Sequence, residues 1–552
     1  MDRTILKREC KFSFYLPAVP GVREDTHIVK EILHYSDGIL EPNLKVLSNF
    51  KRPFWITKPH FQNHKQKKES EDIDKLNMYY STQSKLGNSV ASRLGSRYMG
   101  KRSMWDVVDS PYLYGTDVNS QTILKHMYMK KYPDAISPYS ITVLDTEVDT
   151  DTNELIVVSI ASASNIYTAI LNKFIPNKRD LDKQLKHLYD KHIPKTEISN
   201  KIVPTFELFD TEIDILQAVF KVAHSWKTDF ITAWNMEYDI NVILGICKKY
   251  DYDPKYLFCE PSLPEELKSF EFKVGQKSKL TESGVFKPTS PEEQWHVVRA
   301  PAHFYWIDAM SAHRYIRVGG KSVPGGYSLN NILKVELGKD FAKLKFDDEN
   351  TTNKVGIDWH KYMVANKPLE YIIYNNWDSM SILHLDDKTK DLSYNLFVLA
   401  GVSSFEIFNS GPKRLVDALH FFYIENNKVL GVKPREVNGD KILGLDNWIS
   451  ILSSSRVRDN SIDCIVENPN SVTNIRAFLY DSDQAAGYPN DTIISNASRD
   501  TTTREILDIN GIDKDDFKSQ NINIMFGKVN SVDYCNRMYN YPTYQELIKK
   551  II

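Results

Sequence analysis

Three short apolar runs follow one another between residues 141 and 174, and the turns joining them are too short for a crossover. Ile141-Thr142-Val143-Leu144-Asp145 reads as a buried strand ending on an acid. Residues 155–161 (LIVVSIA) read as a second strand and residues 167–174 as a third. The polar stretch from Asp149 to Asn153 supplies the first turn. Two hairpins in succession force an antiparallel start to a sheet. Alternation with helices follows. Residues 210–226 place Ile213, Ile215, Leu216, Val219 and Phe220 at helical spacing, with Asp210 or Thr211 as N-cap. A strand is expected at 230–234, a helix from about Tyr238, a strand at 304–308 and a helix over 368–386. The last begins at a proline and carries Glu370 in its first turn, as helix starts prefer.

The order βββ-α-β-α-(β)-α is that of a ribonuclease-H-like mixed sheet with helices on its faces. Acids fall where that arrangement can gather them. Asp145 and Glu147 alternate around Thr146 on a strand, so both side chains point to one side. Asp239 stands at a strand-to-helix corner. Tyr374 and Asp378 are one helical turn apart on one helix face. Four carboxylates and a phenol suit a site for two Mg2+ or Mn2+ ions, hard cations that take oxygen ligands. Such a site activates a water for attack on a phosphodiester, with Tyr374 placed to orient that water. Each segment alone also reads as ordinary structure, for example Asp239 as a helix cap. The three in order, in these settings, point to metal-dependent hydrolysis.

These residues resemble the three exonuclease motifs of the proofreading 3′-5′ exonuclease domain in family B DNA polymerases, especially those of tailed bacteriophages. Asp145 and Glu147 match the Asp-x-Glu of the first motif, Asp239 the acid of the second, and Tyr374 with Asp378 the Tyr-x-x-x-Asp of the third. In the second motif Asn235, a DNA contact in the family, stands one residue closer to Asp239, and Tyr238 replaces a phenylalanine. Asp308 with Tyr327-Ser328-Leu329 is similar to the family's segment between motifs. Further on, Asp483-Gln-Ala-Ala-Gly-Tyr488-Pro489 resembles polymerase motif A. That resemblance implies that Asp483 binds metal for nucleotidyl transfer and that Tyr488 lies under the incoming sugar; Ala486, Gly487 and Asn490 depart from the pattern.

No fingers motif and no second Asp-Thr-Asp motif follow Asp483. Asp149-Thr150-Asp151 precedes motif A and reads as a hairpin turn. Gly319-Gly320-Lys321-Ser322 lacks the P-loop glycine, since Tyr315 holds its position. One acid cannot run two-metal phosphoryl transfer alone. The resemblance therefore implies one chain of a split polymerase, acting on single-stranded and primer-template DNA. A second polypeptide would carry the fingers, remaining palm and thumb, and a sliding clamp is a further candidate partner. The alternatives are a stand-alone repair or processing exonuclease with a vestigial palm, and a non-catalytic DNA-binding replication scaffold.

The expected architecture is α/β and multidomain. A mixed α/β N-terminal domain covers 1–138, a ribonuclease-H-like 3′-5′ exonuclease domain 139–395, and an incomplete polymerase palm 396–552. At 552 residues and a formal charge of −2, the chain has no global field to draw it onto nucleic acid, so a basic surface must be local. Residues 51–68 are such a stretch, with Lys51, Arg52, Lys58, Lys65, Lys67 and Lys68 beside Phe54, Trp55 and Phe61. Lys65, Lys67 and Lys68 are candidate DNA contacts, with the aromatics stacking on bases. The same residues also fit a solvated basic edge with its aromatics turned into the core. Arg93, Arg97, Lys101 and Arg102 allow either reading. Cys10, Cys247, Cys259, Cys464 and Cys535 are scattered without a Cys-x-x-Cys pair, as expected of free thiols in a reducing compartment. With no apolar run of spanning length, an intracellular place is expected. The resemblance implies the cytoplasm of an infected bacterial host or a phage replication compartment.

Overall fold

A computed structural model describes residues 3–433, except 66, 96–99, 101–102, 281–285, 318–322, 347–353 and 355. Asp483, Tyr488, Arg97, Lys101, Arg102 and the Gly319–Ser322 stretch lie outside the described residues. The chain divides into two compact units, Met1–Arg435 and Glu436–Ile552, and the first is the one described.

The first unit is an α/β protein with mixed sheets. Strands β1 (Ile5–Leu16), β2 (Thr26–Tyr35) and β3 (Leu40–Ser48) form an antiparallel meander. Strand β4 (Arg52–Thr57), β5 (Ser70–Asp72), β6 (Leu76–Ser81), helix α1 (Leu86–Leu94), β7 (Leu113–Tyr114) and α2 (Ser120–Lys131) follow, with β4 pairing both β6 and β7. Arg52, Phe54 and Trp55 are all buried here. The Arg52 guanidinium donates to the carbonyls of Gly115, at 2.7 Å, and Val118. Arg52, Phe54 and Trp55 of the basic stretch thus build the interior of this sheet, whereas Phe61 is half-buried in the short turn Pro59–Phe61 beyond it. Lys67 Nζ donates to Val432 O at 2.9 Å, Lys68 pairs with Glu71 at 2.6 Å, and Lys65 is exposed.

The central sheet begins with β8 (Ile141–Val148), β9 (Leu155–Ala161) and β10 (Asn165–Leu171), the double hairpin expected from the sequence. Helix α3 (Leu181–His192) then leads to β11 (Val203–Phe209), which lies parallel to β10 at the sheet edge. The periodicity does not predict this pair. β11 alternates exposed and half-buried residues and starts Val-Pro, so it carries little apolar signal. Helix α4 (Glu212–Trp226) follows, with the Thr211 hydroxyl accepting from the Asp214 amide as its N-cap. Strand β12 (Phe230–Ala233) is buried throughout, as a strand flanked by parallel neighbours and covered on both faces must be.

Helices α5 (Met236–Lys249) and α6 (Lys255–Phe258) come next. Short ribbons follow, β13 (Glu271–Lys273) with β16 (Val297–Arg299) and β14 (Ser278–Leu280) with β15 (Phe286–Pro288), before β17 (Tyr305–Asp308). The sheet order is β11-β10-β9-β8-β12-β17. Helices α7 (Ala309–Arg317), α8 (Leu329–Glu336), α9 (Ile357–Asn366) and the long α10 (Pro368–Thr389) complete this part. Side chains of β10 alternate between two cores. Tyr167, Ala169 and Leu171 join Ile215, Val219 and Ile240 of α4 and α5, while Ile166 and Ile170 join Leu185 of α3 and Tyr371 and Trp377 of α10.

After α11 (Leu396–Ala400) and α12 (Gly411–Glu425), strand β18 (Lys428–Leu430) pairs antiparallel with β5, and Val432 enters the core around Phe54 and Val90. Gly431 permits this return, because a Cβ there would lie 2.1 Å from Lys68 O. Residues 396–433 therefore belong to the same compact unit as residues near the N-terminus. No helix among the described residues is long and apolar enough to cross a membrane.

Candidate active site

The acids of β8 meet helix α10 at the middle of the central sheet. Asp145 and Glu147 project together from β8, and Asp378 reaches them from α10. One carboxylate oxygen from each of these residues lies within 4.8 Å of the others. Asp378 is buried, and among the described residues its Oδ1 has no hydrogen-bond partner. Among the described residues this is the only group of three or more potential ligands at metal-binding spacing.

Asp239 stands beside this group and outside it. It lies in the first turn of α5, where its Oδ1 accepts from the Thr146 hydroxyl at 2.8 Å and from the Thr146 amide at 3.1 Å. β8 therefore turns Asp145 and Glu147 to one side while Thr146 holds the acid of the next motif on the other. Asn235 occupies the N-cap position of α5, exposed and making no capping hydrogen bond. Asp308 fixes the start of two helices: its carboxylate accepts from Met236 N of α5 at 2.9 Å and from Ser311 N of α7 at 2.8 Å. Ser328 caps α8. Asp149 accepts from the amides of Asp151 and Thr152, closing the β8–β9 turn.

The site also holds residues that motif spacing did not bring out. Lys343 Nζ donates to Asp378 Oδ2 at 2.5 Å and to Tyr374 Oη at 3.0 Å. Tyr371 Oη donates to Glu147 Oε2 at 2.6 Å, and Asn375 Nδ2 to Asp145 Oδ2 at 2.6 Å. His360 Nδ1 lies 2.8 Å from Tyr371 Oη. The rings of Tyr371 and Tyr374 stack, with centroids 5.9 Å apart and planes 2° off parallel. Tyr371, Asn375 and Asp378 had a readable signal, since their i, i+4, i+7 spacing puts them on one helix face. Lys343 and His360 come from separate segments and had none.

Electrostatically the group is unbalanced. Burial pushes Glu147 and Asp239 each up to about 7; the Tyr371 hydrogen bond opposes the rise at Glu147, and the Thr146 bonds oppose it at Asp239. Asp145 rises well above the carboxylate range, through burial and then the charges of Asp378, Glu147 and Asp239. Asp378 is raised by burial against the pull of Lys343. Lys343 is itself held well above its usual value: burial opposes its charge, and the Asp378, Tyr374 and Asp145 groups outweigh that cost. Among the described residues a single ammonium faces this set, leaving negative charge that bound cations would relieve. The donor set consists of carboxylates, one with an orphaned buried oxygen, and so fits hard divalent ions. Comparison with protein-family models and with curated proteins finds no match to this chain.

Proposed function

We propose that this chain is a metal-dependent 3′-5′ DNA exonuclease built on a ribonuclease-H-like sheet, and that it serves as the proofreading part of a family B DNA polymerase. The observation that carries this reading is the approach of Asp145, Glu147 and Asp378 to within 4.8 Å, with Asp378 Oδ1 left unpartnered. Those acids would hold Mg2+ or Mn2+, with Asp239 alongside. When bound, the ions would supply Lewis-acid stabilisation of the phosphate and a lowered pKa for an attacking water. Tyr374 Oη accepts from Lys343 and keeps its proton as a donor beside the Asp378 carboxylate, which suits this hydroxyl to orienting that water. Lys343 offsets part of the acids' mutual repulsion.

The polymerase half of the reading rests on the sequence from Asp483 to Pro489. Synthesis would require fingers, a second palm acid and a thumb to meet Asp483 and Tyr488. The nuclease half is tested by incubating a 5′-labelled single strand with the chain and Mg2+. Stepwise shortening from the 3′ end is expected, and Asp145→Ala with Glu147→Ala should slow it by roughly 10^3-fold, a loss of about 4 kcal/mol of transition-state stabilisation. A strand left intact by the wild-type chain, with and without chelator, overturns the reading.

A further inference from the structure

Each carboxylate at the site has two oxygens, and in three of the acids one is already engaged. Lys343 holds Asp378 Oδ2, Tyr371 holds Glu147 Oε2 and Asn375 holds Asp145 Oδ2. The last two donors come from adjacent turns of α10 and grip both acids of β8. We infer that Tyr371 and Asn375 are positioning residues that clamp the two β8 carboxylates and turn Glu147 Oε1 and Asp145 Oδ1 toward the divalent cations. This rests on the metal-site reading above and deepens it.

Three features favour a clamp over ordinary packing. Tyr371 is itself fixed: His360 Nδ1 meets its oxygen, and its ring stacks on Tyr374. Asn375 is fully buried, so its amide cannot swing to water. Among the described residues its Oδ1 has no partner, a desolvation cost that an apolar residue would avoid. The reverse amide orientation would set Oδ1 against the Asp145 carboxylate and is repulsive. What Asn provides at that position, and Leu would not, is the donor. Partners of metal-holding carboxylates fix ligand orientation and tune affinity, typically by 10- to 100-fold.

The test uses the full chain and two readouts. Mn2+ binding is measured by calorimetry, and degradation of a 5′-labelled single strand is followed across Mg2+ concentrations. Tyr371→Phe keeps the ring and removes only the hydroxyl; Asn375→Leu keeps the volume and removes the donor. Each should raise the Mn2+ dissociation constant roughly 10-fold. Each should also lower kcat at limiting Mg2+, with partial recovery at high Mg2+ and an unchanged KM for DNA. Should Asn375→Leu not fold, Tyr371→Phe decides. Wild-type Mn2+ affinity in Tyr371→Phe overturns the clamp and leaves the nuclease proposal standing. Weakened Mn2+ binding in the variants, beside a wild-type chain that binds Mn2+ but degrades no DNA, supports the clamp and removes the nuclease reading. A wild-type chain that binds no Mn2+ overturns both.

Discussion

Two of the places where the molecule buries charge treat it in opposite ways. In the N-terminal region Lys11 is fully buried, yet its ammonium meets Glu9 Oε1 at 2.7 Å, Ser137 O at 2.6 Å and Ser137 Oγ at 2.8 Å, with the Tyr139 ring 4.2 Å away. Ser137 in turn donates to both Glu9 oxygens. Arg52 and Lys30 are likewise buried against carbonyl oxygens. At the meeting of β8 and α10 the acids crowd one another, one oxygen of Asp378 has no partner, and one lysine faces them. Matched buried charge holds parts of the fold in register; unmatched buried charge is tolerated where a ligand completes it.

Lys11→Met should break the matched region most severely, because Glu9 is left buried without its cation. A loss of about 3–5 kcal/mol is expected from urea denaturation. Retained stability would show that the pair contributes nothing net.

The unmatched region should respond with the opposite sign. The folded-state pKa values of Glu147 and Asp239 are raised, so without metal their contribution to stability is full below the unfolded carboxylate range and is lost as pH rises through about 7. Asp145→Asn with Glu147→Gln should therefore stabilise the metal-free chain at pH 8, on the order of 2 kcal/mol, and make little difference at pH 4. Mg2+ should raise the wild-type melting temperature at pH 8 and leave that of the variant nearly unchanged. A variant less stable than wild type at pH 8 without metal would contradict the picture of repelling acids.

An exposed pair sets the scale for both. Lys186 and Asp182 are 2.8 Å apart on α3 with both side chains about half exposed. Lys186→Ala should change stability by no more than about 0.5 kcal/mol, read from the same denaturation curves.

Much of the central sheet was legible because its signals are local. Short turns set the β8–β9–β10 meander, apolar spacing and the Thr211 cap set α4, and Pro368 with Glu370 marked the start of α10. Other features depend on contacts distant in sequence. Strand β11 carries an edge strand's weak pattern, and β18 pairs with a strand some 350 residues earlier, so no window of sequence could join them. Arg52, Phe54 and Trp55 resemble a nucleic-acid grip until β6, β7 and the carbonyls of Gly115 and Val118 enclose them.

At the site itself, sequence alone determined which acids are available and in what order, since strand alternation and helix periodicity fix the faces of Asp145, Glu147, Tyr374 and Asp378. Only the tertiary structure decided their company. It set Asp239 against Thr146, brought Lys343 to Asp378 and His360 to Tyr371, and laid α10 across β8 so that Tyr371 and Asn375 grip the two acids. The physical reason is reach. Periodicity dictates direction over a few residues, whereas a hydrogen bond between chain-distant groups exists only after packing has closed the loops between them.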